Sequence, residues 1–177
     1  MLELLTSSFE ALLDFPILSR IRRNHGLEHA TLHILAQRFP GVPIAGHSTA
    51  SGFRLMGELS TEAVQSAVEE ALRRMQAGEA KLAVHPNCGT NFVTAGTLSG
   101  LAGAAAMIGV GKRRWDKVER LPLAAVMATL ALIAAYPLGL KLQEKVTTSG
   151  KPGALQVERI IMTRRGPVTI HQVLTQG

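Results

Sequence analysis

His25, Glu28 and His29 stand in H-x-x-E-H order, residue types that can hold a divalent metal and move a proton beside it. On a helix, positions i and i+4 share one face, so both imidazoles can meet one ion. Glu28 sits one residue before the second imidazole, where its carboxylate can reach a water on the metal and take its proton. The order is the reverse of the H-E-x-x-H spacing of helical zinc sites. His33 continues the stripe but lies about 12 Å along the axis from His25, too far for both to bind one ion. It is read as a supporting or packing residue. Two histidines four apart and a glutamate also arise by chance in helices, so the pentapeptide alone is a hypothesis.

The motif needs a helix, and residues 18–38 supply one, with Ile21, Leu27, Leu32 and Leu35 apolar and Pro40-Gly41 ending it. Before it, Leu2, Leu5, Phe9, Leu12 and Leu13 fall at helical spacing. That stretch is expected as an amphipathic helix, packed on the domain or lying on a bilayer, and Pro16 is expected to break it. Residues 42–47 and 51–59 read as two short strands. A helix capped by Ser60 or Thr61 follows, with Ala63, Val64, Ala67, Val68, Ala71, Leu72 and Met75 as its inner stripe and Gly78 closing it. Residues 80–84 are expected as a further strand. At the far end, Leu155, Val157 and Ile160 precede Arg164-Arg165-Gly166, and Val168 and Ile170 follow, which predicts a terminal hairpin able to join the same sheet.

Two segments differ in kind. Residues 91–111 and 121–140 carry no charge, and each is about the 20 residues that cross a hydrocarbon core as a helix. Gly96 and Gly100 form a GxxxG pair, extended by Gly103 and Ala104, suited to close helix packing. A transmembrane hairpin is expected, since the remaining chain is too small to enclose two such helices. The bulk composition agrees: hydrophobic residues are 46%, aromatics 4% and charged residues 18% of 177. The net charge of +6 suits anionic lipid. No nucleic-acid partner is expected, because there is no stacking platform, recognition helix or zinc-finger spacing. The basic link 112–120 favours a cytoplasmic loop by positive-inside counting. The N-terminus lacks the basic n-region and cleavage site of a secretory signal, which favours a cytoplasmic metal domain. The second argument carries more weight here, and the expected location is a bacterial inner membrane.

His25-x-x-Glu28-His29, Ser51-Gly52-Phe53 on a strand, an amphipathic helix and then Cys88-Gly89-Thr90 together resemble S-ribosylhomocysteine lyase in order and approximate spacing. That family shares the broader fold class of the insulinase/pitrilysin metallopeptidases, and the resemblance covers roughly residues 20–92. It implies His25, His29 and Cys88 as metal ligands and Glu28 as acid/base. Two imidazoles, a thiolate and an open position suit zinc first and ferrous iron second. A lone cysteine is otherwise usually a buried apolar residue. The departures are informative. The lyase has a second cysteine before its Gly-Phe strand, where this chain has Thr49, so the lyase reaction itself is not expected. A third-ligand glutamate of the peptidase kind would have to come from Glu69 or Glu70, which the helix pattern does not single out. The membrane hairpin after Cys88 fits neither soluble family, and the whole arrangement also looks like an uncharacterised family of bacterial membrane proteins associated with phototrophs.

His85 and Cys88 form H-x-x-C, a spacing that can bind one metal in a tight turn. If His85 joins the other ligands, the site is closed and structural; if it points away, water keeps the fourth place. The open arrangement is expected, since a closed one gives Glu28 no role. Thr49 is a candidate additional ligand or neighbour of the site, and His47, Arg54 and Asn87 are expected near its mouth.

The expected fold class is α+β: a small αββα(β) metallohydrolase-like domain with an inserted two-helix transmembrane hairpin and a C-terminal β-hairpin. The expected division is an N-terminal helix at 1–17, a metal-binding domain at 18–90, the hairpin at 91–140 and a β segment at 141–177. The expected function is a membrane-anchored, divalent-metal-dependent hydrolase acting on a peptide or small molecule. The alternative is a non-catalytic membrane scaffold with a structural metal. A homodimer is expected through the Gly96/Gly100 face and by analogy with the lyase.

Overall fold

Residues 11–166 and 168–177 are described by the structure, a computed structural model. The N-terminal amphipathic helix expected at 1–17 falls mostly outside them. The chain is mixed helix and sheet, and it divides into two units: Met1–His85 with Glu144–Gly177, and Pro86–Gln143.

In the first unit, α1 runs from Pro16 to Arg38. The break expected at Pro16 is present: residues 11–13 are helical, 14–15 turn, and Pro16 opens α1, because a first-turn position asks for no N–H and its ring presets the helical φ. The Phe39 N–H closes the other end on Leu35 O at 2.8 Å. Strands β1 (Ala45–Thr49) and β2 (Gly52–Met56) form a hairpin. Helix α2, Thr61–Gln76, begins at Ser60, whose hydroxyl accepts the Ala63 N–H at 3.2 Å. Its buried residues Val64, Ala67, Val68, Ala71 and Met75 keep the spacing of one helical face.

Strands β3 (Gln156–Arg165) and β4 (Val168–Gln176) form the terminal hairpin, and β4 pairs with β2. The result is a four-stranded antiparallel sheet of order β1-β2-β4-β3. Phe53 lies opposite Val173 across the β2–β4 ladder, and both are buried with Leu27, Ile34 and Leu35 of α1 and the inner face of α2. The sheet's inner face and the two helices thus enclose one core, and α1 is fixed along the side that carries its histidines.

Residues 80–84 are not a strand. Ala80–Ala83 forms a 3-10 turn, and the carbonyls of Ala83 and Val84 accept bonds from histidine rings rather than from a ladder.

The second unit contains α3 (Gly89–Ala106) and α4 (Arg114–Leu142), packed on each other and bonded by Ser99 Oγ to Ala128 O at 2.9 Å. Asp116 accepts the Arg113 N–H at the start of α4. A short π turn, Gln143–Thr147, follows α4. The close approach is made by Gly139, where a Cβ would press on Asn91, while Gly103 faces Ala128 at ordinary contact distance; Gly96 and Gly100 face open space. The GxxxG pair therefore does not join these two helices.

Among the described residues one helix, Arg114–Thr147, is long and apolar enough to cross a membrane. Its apolar side chains, among them Val126, Leu130, Ile133 and Tyr136, are exposed. Helix α3 has 18 residues, about 27 Å at 1.5 Å per residue, and Thr90, Asn91 and Thr94 lower the hydropathy of its first two turns.

Candidate metal centre

Helix α1 carries His25, Glu28, His29 and His33. Burial of Leu27, Ala30 and Ile34 against the core sets its rotation, and Glu28 and His29 are drawn inside with them. Gly26 is where the helix meets a neighbouring backbone, and a Cβ there would strike Ser149 O. Without one, the stretch 147–149 lies against the helix, with Ser149 N donating to Arg22 O at 2.9 Å. Replacing Gly26 by Ala is expected to cost about 1–3 kcal/mol, because the obstacle is backbone rather than a flexible side chain. A fall in melting temperature checks this, and metal affinity is expected to fall with it.

The rings are oriented by backbone carbonyls. His25 Nδ1–H donates to Thr147 O at 2.9 Å, and His29 Nδ1–H donates to Ala83 O at 2.8 Å. A neutral imidazole protonated at Nδ1 carries its lone pair on Nε2, and a carbonyl behind the ring is the usual support for a metal-binding histidine. The two ring centres are 4.4 Å apart. His33 is held the other way round, with Nε2–H on Val84 O at 2.9 Å.

Cys88 is 5% exposed. The ligand atoms of His25, His29 and Cys88 all lie within 4.8 Å of one another, and this group could hold a metal ion. His85 stands outside that group. Its ring is centred 5.6 Å from that of His29 and 4.7 Å from that of His33. Burial, with His33 and His29 adding repulsion, lowers its pKa to about 4.

Glu28 is 4% exposed, and its carboxylate accepts the Ser48 hydroxyl proton. Burial raises its pKa, while the Ser48 bond and the His25 and His47 imidazoles draw it back down. Strand β1 shapes this surrounding. Gly46 and Ser48 are two residues apart and share a face; a Cβ at Gly46 would collide with the Glu28 carboxylate. The Thr49 hydroxyl donates to Gly52 O at 3.2 Å within the β1–β2 turn. Ser48, which sequence reasoning passes over, supplies the hydroxyl at Glu28. His47 and Arg54 are exposed and lie opposite each other across the β1–β2 ladder, away from the buried face of β2. Asn87 is exposed in the turn before Cys88.

Asn24 is likewise not singled out by the sequence. Fully buried, it donates to Thr49 O at 2.9 Å and accepts from Thr175 Oγ1 at 2.8 Å. It ties the start of the motif helix to both the β1–β2 turn and the end of β4.

The family model described as "Domain of unknown function (DUF6391)" matches residues 20–160. An uncharacterized protein of Picosynechococcus sp. (strain ATCC 27264 / PCC 7002 / PR-6) is 35% identical over 155 residues, covering 75% of this chain and 76% of that protein. No solved structure matches significantly.

Proposed function

The chain belongs to the DUF6391 family, and we propose for it a membrane-anchored, divalent-metal-dependent hydrolase with a peptide or small-molecule substrate. The observation that carries the reading is the donor set. His25 and His29 are fixed in the same tautomer by two backbone carbonyls, and their ligand atoms and that of Cys88 all lie within 4.8 Å of one another. Two imidazoles and one thiolate favour zinc, with ferrous iron second, and three protein ligands leave a coordination position for chemistry. When bound, the metal supplies Lewis-acid polarisation of a substrate carbonyl and acidification of a water.

Glu28 is the proposed proton acceptor and donor. Its raised pKa brings it closer to neutrality, where a carboxylate both takes and returns a proton efficiently. Ser48 holds one of its oxygens, so the carboxylate keeps a fixed direction. The exposed apolar helix is the proposed anchor in the bacterial inner membrane, with the metal-binding unit on the cytoplasmic side.

A second reading has its own observation. Glu28 is almost fully buried and joined to β1, which also suits a carboxylate that ties helix to sheet in a non-catalytic scaffold with a structural metal. The discriminating experiment is chelation followed by metal return. Hydrolysis of a peptide library by the membrane-reconstituted protein is expected to stop on chelation and to recover with stoichiometric zinc. Hydrolysis that persists in metal-free protein contradicts the enzyme reading.

A further inference from the structure

We infer that His33 and His85 form a second divalent-cation site, separate from the group of His25, His29 and Cys88. Neither imidazole belongs to that group, and their ring centres lie 4.7 Å apart with planes inclined at 55°. Two imidazoles on one tetrahedral ion, each bonded at about 2.0–2.1 Å, place their ring centres roughly 5 Å apart. The observed spacing fits a shared ion.

The tautomer of His33 is set for it. Because Nε2–H is donated to Val84 O, the lone pair of a neutral His33 ring is on Nδ1. Val84 immediately precedes His85, so one short stretch both orients the first ring and delivers the second. His29 and His33 are therefore fixed by consecutive carbonyls, of Ala83 and Val84, through opposite nitrogens. The ladder along α1 is divided in this way: His29 offers Nε2 to the first group and His33 offers Nδ1 to the second.

His33 lines an open groove of about 620 Å³ with Glu79, Lys81, Val84 and Glu144. Glu79 is engaged by Arg74, and Glu144 is exposed and adds a carboxylate to the groove. Two imidazoles with solvent completing the shell suit borderline cations such as Zn²⁺ and Co²⁺, with lower affinity than a site of three protein ligands.

The test is calorimetric titration of the metal-stripped full chain, in detergent, with Zn²⁺ and with Co²⁺. The wild type is expected to take up about two equivalents, the second weaker by roughly 100-fold or more. His33→Gln keeps an N–H for Val84 O while removing the ligand nitrogen, and it is expected to lose only the weak equivalent. His85→Gln is expected to do the same, and circular dichroism verifies that both variants fold. His29→Asn is expected to lose the tight equivalent and keep the weak one, which separates this inference from the hydrolase reading. A single equivalent in the wild type, two equivalents in both Gln variants, or loss of both in His29→Asn overturns the second site.

Discussion

Replacing Glu28 by Gln is expected to leave the metal bound and the fold intact while hydrolysis falls by about 10²–10⁴-fold, the usual contribution of a positioned acid–base group. The substitution is nearly isosteric, and the amide oxygen can still accept the Ser48 hydroxyl bond that the carboxylate accepts now. A neutral amide is also no harder to bury than the carboxylate it replaces, whose charged form burial already disfavours. Only the capacity to carry a proton is lost. Turnover and metal content measured on the same preparation check this. Undiminished turnover removes Glu28 from the reaction, whereas unfolding of the variant makes the carboxylate a tie between α1 and β1 and favours the scaffold reading.

The second large effect is expected at the histidines. His29→Asn keeps an N–H near the position of Nδ1, so Ala83 O can remain satisfied, but it removes the lone pair on Nε2. Metal affinity is expected to fall by at least about 100-fold, since loss of even an outer partner of a ligand costs 10–100-fold. His25→Asn is expected to behave alike, with Thr147 O in place of Ala83 O. The loss has a stability signature. A metal held at 1,000 times its dissociation constant stabilises the folded chain by about 4 kcal/mol, so chelation is expected to lower the melting temperature of the wild type far more than that of either variant. Equal chelator sensitivity in wild type and variants contradicts these ligand assignments.

Much of this centre is legible in the sequence because helix geometry is rigid. The i and i+4 spacing alone puts His25 and His29 on one face, and the two rings do lie 4.4 Å apart. The terminal hairpin is equally legible from the apolar residues on either side of Arg164-Arg165-Gly166, and β4 joins β2, whereas the register shift between Val157 and Arg159 is not marked by that pattern. What sequence does not reveal is which backbone groups serve side chains. Ala83 O and Val84 O orient two histidines, yet nothing in Ala-Val marks them; where the pattern predicts a strand over 80–84, Ala80–Ala83 is a 3-10 turn. Ser48 and Thr49 are chemically alike, and only the phase of β1, with Gly46 turned to the same side, decides that Ser48 meets Glu28. Asn24 reads as an ordinary polar residue of a basic stretch, and only the fold brings the β1–β2 turn and the end of β4 to it.

The two uncharged segments show the same division. Absence of charge over residues 91–111 and 121–140 is plain from sequence, but among the described residues one helix, Arg114–Thr147, has both the length and the apolarity to cross a membrane. Small residues are ambiguous for a related reason. Glycine marks a possible close approach without naming its partner, so Gly96 and Gly100 form the conspicuous motif while Gly103 and Gly139 make the contacts.

The most direct test is the metal content of the purified full chain after dialysis against metal-free buffer, measured by elemental analysis beside His25→Asn, His29→Asn and Cys88→Ser. About one tightly held divalent ion per wild-type chain, zinc above all, is the predicted result, with little or none in each variant. A wild type that is metal-free and takes up no zinc, or variants that retain as much metal as the wild type, would contradict a centre built on His25, His29 and Cys88.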